Sequence, residues 1–467
     1  MKQRAFIRLL ISCCRTLVSW ATLCVVGSTA WAEPLEPLSQ GTAALSDWLS
    51  GDGITGTWGG LRSKLTDRGF ELIGSYDAEV WGNTKGGLES GTVYTGLLDF
   101  GLKLDLEKKA FGWRGASLST TWLLLSGKNA SEDLVGNFLT ISNNAGFNTL
   151  RNYELWFQQN LLDDKISIRL GQLAGDAEFV ISDYAALFLN GTFGWPAFMY
   201  MNLPGGGPGF PVGTLGMRLA IQPVKWFRLQ TAVFQGNVYA QNVNLHGFRW
   251  RLDSRNGFFF LSEAQFRWNR SAGEMGLPGQ FKAGAWFNTA KFAELNDNSF
   301  VRGNYGFYFI LDEMLYRKPA NMTEHHATVD NDGKRTISDT ESERATGKKS
   351  DQGLGWFGRI AFEPQDRNFI GFYLDTGLTY NGLIPTRDGD TLGVAFAYAQ
   401  LSSGAQRAAT DAGSVGVGAE TALEVTYQAQ ITKWLSVQPD LQVIINPGGN
   451  QDLNNALVIG SRVSITF

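Results

Sequence analysis

Charged side chains that alternate with apolar ones are the residues of this sequence with the most evident chemistry. Between residues 97 and 106, Leu98, Phe100 and Leu102 alternate with Asp99 and Lys103. A period of two places the two sets on opposite faces of a β-strand. Side chains on the charged face can pair with one another or contact a polar solute. In this and similar segments, that face carries Glu79, Asp99, Lys103, Glu154, Arg169, Arg218, Arg228, Glu263, Arg267, Arg359, Asp375, Glu424 and Arg462.

The charges in this set have both signs, so the set does not favour ions of one sign. A pore selective for anions would be expected to show a lining dominated by Arg and Lys. The alternative role for each charge is to pair with a neighbour across a wall and hold that wall in shape. Trp156 has two roles open to it, since it could stack on a solute or pack within the wall.

Residues suited to catalysis are scarce. General-base chemistry usually uses histidine, and the sequence has only His246, His325 and His326, all in connections between predicted strands. His246 has no Ser or Asp motif beside it that would form a triad, and the ligand spacing around His325 and His326 does not support a closed metal site. The sequence therefore predicts a protein that is not an enzyme and has no cofactor.

The alternating segments require strands with one face in lipid and one in water, which is typical of a transmembrane β-barrel. Closure of the barrel leaves no unpaired strand edge in the membrane. The sequence predicts an all-β fold with one antiparallel barrel over residues 72–467. An even number of strands would place both chain ends on the periplasmic side. The sixteen predicted strands are 72–81, 95–106, 115–125, 151–159, 165–172, 214–222, 226–235, 257–269, 279–289, 304–316, 355–364, 369–380, 391–401, 420–431, 434–445 and 457–467.

Two long connections stand out. Residues 173–213 contain Phe193, Trp195 and Tyr200, and a surface loop exposing so many aromatics would be a liability. We expect this loop to fold into the lumen and constrict it. The polar insert 317–354 falls on the periplasmic side by the strand count, and the tight 364–368 turn on the extracellular side. A strand gained or lost between 290 and 420 is the alternative.

The N-terminus has the features of a signal peptide over residues 1–32. Four basic residues lie near the start, Thr16–Val26 is apolar, and Ala30-Trp31-Ala32 is a cleavage site. Removing the four basic residues leaves 36 Lys+Arg against 44 Asp+Glu, a net charge of −8, which gives no support for binding nucleic acid. All three cysteines lie in the removed segment. Residues 33–71 are expected to be a periplasmic segment with one short helix around Trp58–Leu65.

Several short motifs, in order, resemble the OprB-type carbohydrate-selective porins of Gram-negative outer membranes, from about Thr57 to Phe467. The polar insert is richer in charge than expected of that family. The matching motifs are Trp58-Gly59-Gly60-Leu61-Arg62, Glu154-Leu155-Trp156-Phe157-Gln158-Gln159, Arg169-Leu170-Gly171-Gln172, Phe188-Leu189-Asn190, Phe210-Pro211, Gly382-Leu383-Ile384-Pro385, Glu424-Val425-Thr426-Tyr427, Gln438-Pro439-Asp440-Leu441-Gln442 and Asn446-Pro447-Gly448-Gly449.

The resemblance implies a passive channel for glucose and other small neutral sugars. Charged and amide groups would replace the hydration of sugar hydroxyls, and aromatic rings would meet the C–H faces. Phe193, Trp195 and Tyr200 would lie at the constriction. The candidate pore-lining residues are Glu154, Trp156, Arg169, Arg218, Arg228, Glu263, Arg267, Arg359, Asp375 and Glu424.

The expected partners are outer-membrane lipid, lipopolysaccharide and, through Phe467, the barrel assembly machinery. The sequence leaves a monomer and a homotrimer open. Two other functions also stay open. One is a general or small-anion porin, and the other is an adhesin or assembly barrel whose binding part is the 317–354 insert.

Overall fold

The computed structural model describes residues 51–467 except 109, 239–242, 251–255, 271–273, 275, 296–298, 320–326, 330–334, 338–351 and 415. The predicted signal peptide, His325, His326 and most of the polar insert lie outside the described residues. The strands are β1 (Phe70–Lys85), β2 (Gly91–Asp105), β3 (Ala116–Gly127), β4 (Thr149–Leu161), β5 (Ile166–Leu173), β6 (Thr214–Val224), β7 (Phe227–Gln235), β8 (Phe258–Trp268), β9 (Gly279–Ala293), β10 (Phe300–Arg317), β11 (Ala327–Val329), β12 (Arg335–Ile337), β13 (Gly353–Phe362), β14 (Ile370–Asn381), β15 (Thr391–Leu401), β16 (Ala419–Thr432), β17 (Leu435–Ile445) and β18 (Ala456–Thr466).

Sixteen of these strands form one closed barrel in which every neighbouring pair is antiparallel. β11 and β12 form a separate two-stranded hairpin between β10 and β13, which the sequence did not predict. The predicted barrel of sixteen strands is confirmed, and among the described residues between 290 and 420 no barrel strand is lost or gained. The alternation is confirmed too: on β16, Val425 is 43% exposed and the adjacent Glu424 is 1% exposed.

The barrel closes where the first strand meets the last. β1 pairs with β18 from Ser75 opposite Thr466 to Lys85 opposite Leu457. Across this seam, Arg462 Nε donates to Glu79 Oε1 at 2.7 Å, and both side chains face inward. Two of the predicted interior charges therefore hold the wall closed from within.

The antiparallel order fixes which connections share an end of the barrel. The end that carries both Phe70 and Thr466 is called the terminal end, and the opposite end is the distal end. β10 ends and β13 begins at the terminal end, and the 363–369 turn lies at the distal end. The structure thus separates the two connections to opposite ends of the barrel, as the strand count did, and their periplasmic and extracellular assignment stays a prediction.

The predicted short helix precedes the barrel. A 3₁₀ turn at Trp58–Gly60 leads into α1 (Leu61–Asp67), and this segment lies against the last strand. Arg62 Nη2 donates to Phe467 O at 2.7 Å, and Ile54 N donates to Thr466 O at 2.9 Å. No helix among the described residues is long and apolar enough to cross a lipid bilayer.

The connection between β5 and β6 crosses the barrel interior, as the sequence predicted. This long inward loop (residues 174–213) contains α2 (Ala197–Tyr200) and three 3₁₀ turns. Its backbone contacts walls far apart in the strand order: Val180 N donates to Glu263 on β8 at 3.1 Å, and Leu189 N donates to Glu424 on β16 at 2.6 Å. A loop tied to β8 and β16 must span the lumen between them.

A second connection also folds inward, and the sequence analysis missed it. This short inward loop (residues 128–148) joins β3 to β4 and includes one π-helical turn, Ser131–Val135. Phe138 N and Leu139 N donate to Glu420 on β16, at 3.0 and 2.6 Å. Gly191 N of the long inward loop donates to Thr140 O at 2.7 Å, so the two loops together form a partition across the lumen.

Candidate permeation site

A large cavity opens at the distal end, between the two inward loops. It has a volume of about 760 Å³, within the range of small-molecule binding sites. We call it the vestibule. Its lining combines aromatic rings with amides and charges: Phe147, Tyr153, Trp195, Tyr200, Phe210, Asn143, Asn144, Asn148, Lys128, Glu132, Asp133 and Asp176.

A second cavity lies at the terminal end, against β4 to β7. It has a volume of about 420 Å³, and three arginines and Glu178 line it. We call it the basic chamber. Glu178 belongs to the long inward loop, and its carboxylate lies 2.6 Å from Arg169 Nη1, 2.6 Å from Arg218 Nε and 3.8 Å from Arg228 Nη2. The structure therefore brings together Arg169, Arg218 and Arg228, three of the residues that the alternation placed on the inner face.

Arg169 forms the aromatic contact of the basic chamber. Its guanidinium lies 3.8 Å from the ring centroid of Trp156, a cation–π geometry. Its Nε donates to Gln158 Oε1 at 2.9 Å. Glu154, two residues before Trp156, accepts from Ala174 N at 3.2 Å and fixes the start of the long inward loop. One face of Trp156 is thus occupied by Arg169, and its role in stacking on a solute stays a prediction.

Four other predicted pore-lining residues lie beneath the long inward loop. Glu263, Arg359, Asp375 and Glu424 are each at most 1% exposed. Arg359 Nη1 donates to Val180 O at 3.1 Å, and its Nη2 donates to Thr192 O at 3.0 Å. Glu263, Arg359 and Glu424 therefore bond to the loop backbone, and Asp375 accepts from Arg359.

The remaining interior charges are spread along the wall. Arg267 is partly exposed on β8 and donates to Gln265, outside the basic chamber. Lys103 pairs with Glu71 at 3.5 Å near the terminal end. Asp99 lies diagonally across from Asp77 in the β1–β2 register.

The three aromatics predicted at the constriction have different surroundings. Phe193 is 2% exposed and packs against Phe188 and Phe357, so it belongs to the core of the loop. Trp195 lines the vestibule with its Nε1 donating to Gly206 O at 2.9 Å. Tyr200 also lines the vestibule. Burial raises the pKa of the Tyr200 phenol well above its ordinary value, so it stays protonated.

Asp176 links the long inward loop to the wall. It accepts from Tyr153 Oη at 2.7 Å and from Phe210 N at 2.7 Å. Burial raises the pKa of Asp176, while these two hydrogen bonds act in the opposite direction. The same carboxylate joins both ends of the loop to β4, which fixes the shape of the vestibule floor.

Gly209 gives a direct test of the position of Trp195. A Cβ at Gly209 would lie 2.6 Å from both Cδ1 and Nε1 of Trp195, whereas a Cβ at Gly194 would meet only Gly191 O at 3.5 Å. We expect Gly209→Ala to push the indole into the vestibule and reduce solute flux, measured by liposome swelling. Gly194→Ala is the matched control, since it lines the same cavity. Equal flux in both variants would show that Trp195 does not narrow the path.

Sequence reasoning missed Arg151, Tyr153 and Glu178. β4 contains a bulge at Tyr153, because Thr121 pairs with Glu154 while the next residue, Trp122, pairs with Asn152. The bulge shifts the alternation, so Arg151 and Glu154 both face inward. Glu178 lies in a loop, where alternation gives no signal. The short inward loop had a signal, since Leu134, Val135, Phe138, Leu139 and Ile141 are apolar residues of a connection and all are buried.

A closed sixteen-stranded barrel with an internal loop partition and polar cavities on both sides defines a porin. The family model described as "Carbohydrate-selective porin, OprB family" matches residues 89–467. The chain belongs to the OprB family and is an outer-membrane sugar porin.

Individual relatives agree with this family. Porin B of Pseudomonas aeruginosa is 24% identical over 459 residues, covering 90% of this chain and 92% of that protein. The high-pH structure of Pseudomonas putida OprB has a TM-score of 0.73 at 22% identity, over 90% of this chain and 99% of that one. The low-pH structure of the same protein has a TM-score of 0.53 at 17% identity, with the same coverage.

Proposed function

We propose that glucose and similar neutral monosaccharides pass from the vestibule, across the edge of the loop partition, into the basic chamber. The observation that carries this proposal is the group formed by Arg169, Arg218 and Glu178 beside Trp156. This group lies on the terminal side of the partition. Charged donors and acceptors at this point can replace sugar hydration without covalent chemistry. Transport would be passive, with binding weak enough for release.

One further feature supports the orientation of the barrel that we propose. The short connections at the terminal end, such as 162–165 and 433–434, are typical of the periplasmic side of a bacterial barrel. The vestibule would then face the outside and the basic chamber the periplasm. Cleavage after Ala32 and recognition of Phe467 by the barrel assembly machinery belong to the same proposal.

Arg169 is the residue with which we test the sugar path. We expect Arg169→Ala to lower the preference for glucose over uncharged amino acids of matched size roughly tenfold, since hydrogen bonds to charged groups contribute ~1.5–3 kcal/mol. Arg169→Lys keeps the charge but loses the planar fork that lies on Trp156. Liposome swelling with the refolded proteins measures the preference.

Arg114→Gln is the control for this test, because Arg114 is exposed at the terminal end and pairs only with exposed Asp163 among the described residues. A glucose preference unchanged in Arg169→Ala would remove this residue from the path. Swelling governed by solute size alone in the wild-type protein would contradict sugar preference itself. The basic chamber favours one alternative, passage of small anions, and a reversal potential in a salt gradient measures it.

A further inference from the structure

The vestibule and the basic chamber lie one after the other along the barrel axis. The vestibule is lined by distal-end residues such as Lys128 and Asp133, and the basic chamber by terminal-end residues such as Asp164 and Lys165. Asp176 lines the first cavity and Glu178, two residues later, lines the second. A solute that follows the proposed path therefore meets the two cavities in series, with residues 176–178 between them.

The vestibule is acidic. Exposed Glu132 and Asp133 line it, opposed by the single Lys128. Asp77 does not line the vestibule itself, but it accepts from Nδ2 of the lining residue Asn144 at 2.8 Å. The four charged side chains that line the vestibule, Lys128, Glu132, Asp133 and Asp176, carry a formal charge of −2.

The basic chamber has the opposite sign. Arg169, Arg218, Arg228 and Lys165 line it, opposed by Asp164 and Glu178. These six side chains carry a formal charge of +2. The arginines are held in place, since Arg218 Nη1 donates to Ser167 Oγ at 2.8 Å as well as pairing with Glu178.

We propose that these oppositely charged cavities in series exclude small ions of both signs while neutral solutes pass. An anion is repelled at the vestibule and a cation at the basic chamber, whereas a neutral sugar meets neither barrier. Charges in a narrow passage with low-dielectric walls act more strongly than on an open surface. The Debye length is about 8 Å at physiological ionic strength, so salt does not fully screen charges across such cavities. The proposal rests on the path described above and gives it a means of rejecting ions.

The same arrangement makes the ion current depend on the sign of the voltage. When the distal side is positive, cations enter through the acidic vestibule and anions enter through the basic chamber, so both accumulate between the cavities. Reversing the voltage depletes cations and anions from the region between the two cavities. The current should therefore be larger with the distal side positive. The asymmetry should disappear at 1 M salt, where the Debye length is about 3 Å.

The experiment is a current–voltage curve of the purified full-length barrel in a planar bilayer at 0.1 M and 1 M KCl. The orientation of the barrel in the bilayer is determined by adding a protease to one side and recording whether the protein is cleaved. We expect a current ratio of at least about twofold between opposite voltages at 0.1 M, where the Debye length is still about 10 Å. The double variant Glu132→Gln/Asp133→Asn should lose the asymmetry and become anion-selective. Arg228→Gln should reduce it, and Arg114→Gln, an exposed terminal-end control, should leave it intact.

A linear current–voltage curve in the wild-type protein at 0.1 M would overturn the proposal. So would an asymmetry of the opposite sign, or one that survives in both charge-neutralising variants. Liposome swelling with glucose is measured on the same preparations. A normal sugar preference with a linear current–voltage curve would support the sugar path and contradict the ion barrier. An asymmetric current without sugar preference would support the ion barrier and contradict the sugar path.

Discussion

Asp375→Ala is expected to destabilise the barrel by about 3–5 kcal/mol, the cost of leaving a buried charge without its partner. Asp375 is fully buried and accepts two hydrogen bonds from Arg359 Nε, at 3.0 and 2.9 Å. The same guanidinium donates to the carbonyl oxygens of Val180 and Thr192. Losing the carboxylate therefore affects both the wall and the long inward loop. Urea unfolding in detergent measures the first effect, and hydrogen exchange of residues 180–192 measures the second.

A double variant separates these two effects. In Arg359→Met/Asp375→Leu, apolar side chains of similar size replace the pair, and such replacements are often neutral for stability. We expect the barrel to regain most of its resistance to urea. The carbonyl groups of Val180 and Thr192 would still lack their donor, so the loop should stay exposed to exchange. If the loop became as protected as in the wild-type protein, Arg359 would not be one of its anchors.

Sequence alone was sufficient for the barrel wall because lipid imposes a strict rule on every strand. A residue such as Val425 must be apolar and its neighbour Glu424 need not be, so the period of two holds wherever the strands pair regularly. The rule fails where the backbone departs from regular pairing. At the β4 bulge, one extra residue at Tyr153 puts Arg151 on the inner face, and nothing in the sequence marks that position.

The candidate site was only partly predictable, for a physical reason. Alternation identifies side chains that face inward, but what they meet there depends on where the loops fold. Arg169 and Glu263 look equivalent in the sequence, yet Arg169 lines an open cavity and Glu263 accepts from Val180 N beneath the loop. The inward fold of the long loop was predictable from its aromatics. The contact of Phe193 with Phe357 on distant β13 was not predictable.

Glu424→Ala and Glu420→Ala are expected to release different loops, although the two residues lie four positions apart on β16. Glu424 accepts from Leu189 N and Asn190 N of the long inward loop at 2.6 and 3.0 Å. Glu420 accepts from Phe138 N and Leu139 N of the short inward loop. A buried donor left unsatisfied costs about 1–3 kcal/mol. Each variant should therefore weaken its own loop by about 2–6 kcal/mol, since two donors lose their acceptor.

Hydrogen exchange distinguishes the two releases. In Glu424→Ala, amides near 189–190 should exchange faster while those near 138–139 stay protected, and Glu420→Ala should give the reverse. Release of the long loop should also raise the single-channel conductance more, because that loop spans from β8 to β16. The loops are joined by the bond from Gly191 N to Thr140 O. Equal exchange at both sites in both variants would mean that the partition opens as one unit, with the two glutamates anchoring it jointly.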